Sequence, residues 1–324
     1  MEKKTSQWKT LLKSELLRWE NIGLLMFFVL MMITYAALSP HFLTLRNITN
    51  VLLQSSALLF LALGQTLAII SAGLDLSQGA IVSVVSVVSA QVIKDHGLLM
   101  GTIAGIGSGL TLGLVNGFLI GKARIQPFIA TLGMLYIAGG IAMVYVNGSA
   151  VFGIPEPAVD QWFYLGGGYL GPIPIPVALA AICLLSVNYL LRNTRLGRHI
   201  YAVGGNENVA LLSGVKVDRV KVWIYTLSGL LAAIGGYLLS SRVISGQPTL
   251  GAGGLLLQAI GAVVIGGTSL FGGSGGVFRT FLGVMIISFM VNGMNLLAIS
   301  TFIQEIIVGS LIILSVWVST YRKR

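Results

Sequence analysis

Ten stretches of this chain are apolar enough to prefer lipid to water, and no other feature constrains its fold as strongly. They lie near residues 22–38, 48–72, 78–93, 98–121, 125–146, 173–191, 222–244, 255–268, 277–296 and 302–320. Most approach the ~20 residues that a helix needs to cross the hydrocarbon core of a bilayer. Of 324 residues, 55% are hydrophobic and 9% charged, where a soluble domain carries ~25% charged residues. A water-soluble fold could not hide that much apolar surface. The 42 glycines agree, because closely packed membrane helices favour small residues at their contacts. The expected fold is an all-α polytopic membrane protein of about ten transmembrane helices. The two shortest stretches, 78–93 and 255–268, abut glycine-rich breaks and are candidates for a half-helix or a re-entrant segment.

Positive charge orients these spans. With the N-terminus in the cytoplasm, ten spans return the C-terminus there. Seventeen of the 20 Lys and Arg residues then fall on the cytoplasmic side, leaving Arg46 and Lys94 outside and Arg242 near the outer end of a span. The opposite orientation violates the rule almost completely. Trp162, Tyr164, Trp223, Trp317 and Tyr321 fall at expected membrane interfaces, as aromatic belts do. Residues 1–20 place Trp8, Leu11, Leu12, Leu16 and Trp19 on one helical face among lysines, which predicts an amphipathic cytoplasmic helix on an anionic membrane surface. A cleaved signal peptide is the competing reading, but the long charged leader and the apolar core at 22–38 favour a retained span. Residues 21–324 form one transmembrane unit, with an external loop at 147–172 and a basic internal loop at 192–221.

Several function classes drop out. The +10 formal charge follows from the topology and does not call for nucleic acid. Cys183 is the only cysteine, and His41, His96 and His199 are far apart, so no disulfide framework, metal site or catalytic residue is expected. The segment "GFLIGKA" at 117–123 has the wrong spacing for a P-loop, so the chain is expected to hydrolyse no ATP itself.

Four constellations remain. Gly101, Gly105, Gly109, Gly113, Gly117 and Gly121 recur every fourth residue along one span, a run of GxxxG units that predicts a close helix contact. In "SAGLDLSQGA" (71–80), Asp75 and Gln78 stand three residues apart, the pattern of a capping box for the next helix. A transport role for Asp75 is the alternative, since an ionisable group at this depth is costly. Polar stripes suggest the lining of a path: Gln54 and Gln65, with Ser55 and Thr66, on the second span, and Ser288, Asn292 and Asn295 on the ninth. Amides and hydroxyls suit a neutral polyol, although helix-to-helix hydrogen bonds explain them equally. Arg242 and Glu305 lie toward external boundaries, where snorkelling is open to them. Finally, the internal loop holds a short helix with Asn206 as its cap, Val209, Ala210 and Leu212 as small or apolar contact residues, and Gly214 as its stop. A capped helix in a basic loop is suited to docking.

These residues carry a resemblance. Over nearly the whole length after residue 20, the chain resembles the permease subunits of bacterial sugar ATP-binding-cassette (ABC) importers of the ribose type. The landmarks are "GLDLSQGA" (73–80), "QPFIATLGML" (126–135), "TRLGRHIYAVGGNENVALLSGV" (194–215), "QPTLGAGG" (247–254) and "AVVIGGTSLFGGSGG" (262–276). The resemblance implies a multi-pass subunit of the bacterial cytoplasmic (inner) membrane that binds no cofactor. ATP is used by a partner ATP-binding subunit that grips a coupling helix, matched here by Gly205, Asn206, Glu207, Ala210, Leu211 and Gly214. An external, periplasmic sugar-binding protein delivers the cargo. A second permease subunit, expected to be an identical copy, completes a central path. Two inverted groups of helices are implied, the second to fifth and the seventh to tenth spans. The chain departs from the family at Leu74–Ala80, where Ile-Asp-Leu-Ser-Val-Gly-Ser is usual. It also has Gly139 and Gly140 where many relatives carry an arginine before the glycine. Pentoses, hexoses, sugar-like signalling molecules and nucleosides all stay open as cargo. An ion-coupled secondary transporter is the alternative; it needs carboxylates or broken-helix carbonyls for its ion, and intramembrane acids are limited to Asp75 and Glu305.

Overall fold

The computed structural model describes residues 19–321. The expected amphipathic helix at 1–20 lies, apart from its last two residues, outside the described residues. A helix stands at each of the ten expected spans. In chain order the elements are α1 (Trp19–Leu38), α2 (Leu45–Ile70), α3 (Gln78–His96), α4 (Leu98–Gly121), α5 (Pro127–Tyr145), α6 (Ala158–Gly167), β1 (Tyr169–Leu170), β2 (Ile173–Pro174), α7 (Ile175–Asn193), α8 (Arg195–Gly205), α9 (Glu207–Leu212), α10 (Val217–Val243), α11 (Leu255–Ile265), α12 (Val277–Leu296) and α13 (Thr301–Tyr321). Among the described residues, α2, α4, α5, α7, α10 and α12 are long and apolar enough to cross a membrane; the apolar stretches Ile22–Leu38, Leu255–Ile265 and Thr301–Trp317 are shorter.

Local chemistry sets the helix ends. The Thr44 hydroxyl accepts from Asn47 N at the start of α2, and Pro127 opens α5, where its missing N–H has no partner to lose. One residue joins α3 to α4: Gly97, with φ of 86° and ψ of 173°, a conformation open to glycine and to few other residues. The break expected after Lys94 is therefore a hairpin of two helices without a linker.

The segment expected as an external loop, 147–172, is more than a loop. It folds into α6 and a two-stranded antiparallel hairpin pairing Tyr169 with Pro174 and Leu170 with Ile173. The chain is thus all-helical but for this clip. Trp162, expected at a membrane interface, is instead 0% exposed and packs on Tyr237 with ring centroids 6.2 Å apart. The Ser241 hydroxyl holds its carbonyl, so α6 is bound to the outer end of α10.

Helix α10 packs against α4, α2 and α3, while α2 also touches α7, α11 and α12. Along α2 every residue from Ser55 to Ile70 is buried, which makes it the axis of the molecule. The glycine stripe of α4 meets two partners in turn. A Cβ on Gly101 or Gly105 would strike Ile93 or Ser89 of α3, and one on Gly109 would strike Ala233 of α10. Farther along, a Cβ on Gly113 would sit 2.7 Å from the Tyr225 carbonyl and 2.8 Å from Gly229 Cα, and one on Gly117 would sit 2.7 Å from the Val222 carbonyl. A Cβ on Gly121 would sit 2.5 Å from the Asp218 carbonyl. The seam is thus a backbone-to-backbone contact with α10 for half its length.

The segment expected as the shortest span is broken. α10 ends at Ile244 in the left-handed region, with φ of 52°. The chain then runs without helix to α11, whose eleven residues span about 16 Å, half the hydrocarbon thickness.

Replacing Gly113 by leucine should therefore destabilise the protein by ~1–3 kcal/mol, the cost of overpacking a close contact. Gly107 faces open space on the same helix, and leucine there should leave stability unchanged. Thermal unfolding of the two variants in detergent checks the pair; equal melting would remove the seam as a stabilising contact.

Candidate functional site

Two features stand next to each other at the basic end of the molecule: the α8–α9 loop and a buried carboxylate above it. Thr194 caps α8, its hydroxyl accepting from Gly197 N at 3.1 Å. The chain turns at Gly205 and Asn206, whose side chain caps α9 by accepting from Val209 N at 3.0 Å. Gly214, with φ of 83°, takes the chain out. Lys221 Nζ, at the start of α10, pairs with Glu207 at 2.7 Å and fixes α9 against α10. Ala210 is 3% exposed and packs inward, whereas Val209, Leu211 and Leu212 are exposed. An apolar ridge therefore projects from a basic loop, and Ala210 supports that ridge from beneath.

Immediately before α9, the backbone of α8 is wedged between two other loops. A Cβ on Gly204 would fall onto the Ile70 carbonyl at the end of α2, and one on Gly273 would lie 2.9 Å from Gly205 Cα. Gly273 N donates to the Ile70 carbonyl at 2.9 Å, and the Tyr201 hydroxyl donates to the Gly275 carbonyl at 3.0 Å. The ends of α8 and α2 and the loop before α12 thus meet at one point.

From that point residues 71–77 lead to Asp75, which is 0% exposed. The expected capping box does not form. α3 begins at Gln78 behind Ser77, which makes no side-chain cap. One carboxylate oxygen of Asp75 accepts from Ser77 N at 3.0 Å and Ser77 Oγ at 2.5 Å, and the other accepts from Ser228 Oγ of α10 at 2.6 Å. Asn116 Nδ2 of α4 donates to Ser77 Oγ at 2.8 Å, and Gln78 Nε2 donates to Ser228 Oγ at 2.8 Å. Two amide-to-hydroxyl relays thus converge on one carboxylate. Gln65 completes the arrangement by donating to the Asp75 carbonyl and accepting from Asp75 N at 3.4 Å. Neither the Lys122–Asp218 nor the Lys221–Glu207 ion pair involves Asp75. The network ties α2, α3, α4 and α10 to one residue, through its backbone and its carboxylate.

The polar stripes are not gathered into a single lining. Gln54 is exposed while Gln65 is enclosed. Thr66 shares a hydrogen bond with Thr280 of α12 at 2.7 Å. Asn292 exchanges two bonds with Asn47, at 2.8 and 2.9 Å. Asn295 accepts from Gln304 of α13 at 2.7 Å, and Ser288 is half-buried. Gln65, Thr66, Asn292 and Asn295 thus join helices or loops to one another. Ser77, Asn116 and Ser228 were not singled out from sequence; Asn116 carried a signal, as the lone amide in the glycine-striped span. Gly204 and Gly273 lie inside the quoted landmarks, but nothing local reveals that two loops 70 residues apart would meet through them.

Asp75→Asn should destabilise the fold by ~1–3 kcal/mol. Both carboxylate oxygens accept from serine hydroxyls, so the NH2 group of asparagine would face one of those donors. Thermal unfolding beside Gln54→Ala, an exposed amide, checks this; equal melting of the two variants would rule the network out as a source of stability.

Over residues 47–316 the chain matches the family described as branched-chain amino acid transport system, permease component. It is 41% identical over 290 residues to the ribose import permease protein of Escherichia coli, covering 89% of this chain and 90% of that protein. It is 40% identical over 298 residues to the ribose import permease protein of Bacillus subtilis, covering 92% of each. To the D-allose transport system permease protein of Escherichia coli it is 35% identical over 301 residues, covering 92% of this chain and 91% of that protein. No solved structure matches the chain. The chain belongs to this permease-component family and is a multi-pass membrane protein.

Proposed function

Taking that membership as premise, we propose that the chain is the membrane-spanning subunit of an ABC importer that carries a neutral sugar into the cytoplasm. The observation that carries the proposal is the 41% and 40% identity to ribose import permeases across about nine tenths of the chain. The D-allose relative extends the cargo class from pentoses to hexoses.

The geometry supports the division of labour. The exposed ridge of Val209, Leu211 and Leu212, braced by Ala210 and by the Glu207–Lys221 pair, is the docking element for an ATP-binding subunit, which consumes the ATP. An external sugar-binding protein presents cargo at the opposite end. A second copy of the chain completes the translocation unit in the bacterial cytoplasmic membrane. Ten spans place both termini in the cytoplasm, with α2–α5 and α10–α13 as the two inverted groups and α11 with the segment before it counted as one broken span. In this scheme Asp75 and Gln65 hold the region behind the docking helix, and the sugar is neutral because the spans carry few charges.

Leu211→Asp should reduce ATP-driven D-ribose or D-allose uptake by about tenfold or more, the factor that corresponds to ~1.4 kcal/mol of lost coupling. Glu207→Arg, which sets two cations against each other, should act likewise. Both variants should insert and fold normally. Uptake into vesicles containing the whole importer, with copurification of the ATP-binding subunit, provides the check. Unchanged uptake in both variants would remove α9 as the docking element.

A further inference from the structure

Two cavities lie along one edge of the α3–α5 pair. The outer one, of about 650 Å³, is lined by Gln91 and Lys94 of α3 and by Tyr145, Asn147 and Ser149 at the end of α5. The inner one, of about 470 Å³, is lined by Ala80 and Ser83 of α3, Tyr136, Gly139 and Gly140 of α5, and Thr249. Ala80, Ser83, Gln91 and Lys94 fall within an arc of about 80° on α3, and Tyr136, Gly139, Gly140 and Met143 within about 100° on α5. The residues of both cavities therefore share one face of α3, at successive depths, while on α5 the outer cavity meets only the last residue, Tyr145.

At the outer cavity the wall opposite the helices is residues 149–152, and at the inner cavity it is the non-helical segment between α10 and α11. That segment descends along α3, with Gln247 N donating to Ser86 Oγ at 2.9 Å and Gly251 N to Ser83 Oγ at 3.1 Å. It ends so close that a Cβ on Gly251 would strike the Gly79 backbone. Non-helical backbone at membrane depth is tolerated where it is buried in protein or lines a water-filled cavity, and broken helices mark the binding sites of many transporters.

We propose that this groove is the sugar's route along each copy of the chain, with the inner cavity as a transient binding site for a neutral polyol. The inference rests on the sugar-permease reading above. The inner cavity lies within the ~300–1,000 Å³ range of small-molecule sites, and no charged side chain lines it. Tyr136, 76% exposed, offers a ring to the C–H face of a sugar. The exposed Thr249 hydroxyl offers an exchangeable hydrogen bond, whereas Ser83 is buried against Gly251 N. So sparse a set of polar groups holds a polyol weakly, as a conduit must. The amides and the ammonium group at the outer cavity separate this groove from a lipid channel, since an acyl chain gains nothing from them.

Gly139 provides the test, because a Cβ there meets nothing within 4 Å. In a Cys183→Ser background, Gly139→Cys and separately Thr249→Cys are reconstituted with the ATP-binding subunit and the binding protein. D-Ribose uptake is measured before and after treatment with a charged, water-soluble methanethiosulfonate. Labelling at either position should cut uptake about tenfold or more below that of the same variant untreated. Gly107→Cys on α4 should show no such loss. Complete labelling at both positions with uptake unchanged would overturn the route. So would thiols that react only with a lipid-soluble maleimide, which would place the groove against lipid. A parent that moves neither D-ribose nor D-allose would overturn the sugar reading itself, and the groove with it.

Discussion

Every backbone polar group that leaves a helix inside a membrane must find its partner within the protein, and the interior of this molecule is arranged around that requirement. Two non-helical segments, 71–77 and 244–254, are held by side chains borrowed from neighbouring helices. Gln65 satisfies both backbone groups of Asp75, and the Thr131 hydroxyl reaches the Leu74 carbonyl at 3.3 Å. Ser83 and Ser86 accept from Gly251 and Gln247, while the Ser240 hydroxyl donates to the Ser245 carbonyl at 2.7 Å. The polar residues of the spans are thus largely committed to broken backbone and to helix contacts.

Close approach is the second condition. Hydroxyls are short, so a serine on α3 can serve a loop only if the two chains nearly touch. Glycine makes that contact at Gly79 and Gly251, and the stripe of α4 does the same against α10. Without an aqueous driving force between helices, such contacts draw on van der Waals packing and hydrogen bonds. That is why Ser228 of α10 can reach the Asp75 carboxylate while Asn116 of the facing α4 reaches the Ser77 hydroxyl bonded to it.

Much of the fold was legible because lipid imposes a simple rule on composition. The ten apolar stretches, the glycine period of α4 and the Asn206 cap with its Gly214 stop each depend on neighbours in sequence, and each appears where sequence places it. The Asp75 assignment differed for a physical reason. The spacing from Asp75 to Gln78 fits a capping box, but the carboxylate is instead held by Ser77 and by Ser228, 153 residues away, with Asn116 donating to Ser77 from behind, and no local pattern announces the distant pair. The periodicity linking Gln54 to Gln65 is real on a helix, yet α2 is enclosed beyond Ser55, so the same face is exposed at one end and buried at the other. Trp162 followed the same logic: an aromatic near a boundary fits an interfacial belt until α6, which carries it, packs onto α10.

The contact of Gly204 with the Ile70 carbonyl has a mechanical consequence. Ile70 begins the segment leading to α3, and Gly273, bonded to the same carbonyl, belongs to the loop leading to α12. If α9 is the docking element proposed above, a push on it would meet both segments at a single peptide unit, with no side chain between them. The two halves of the chain would then take up that push at one shared point.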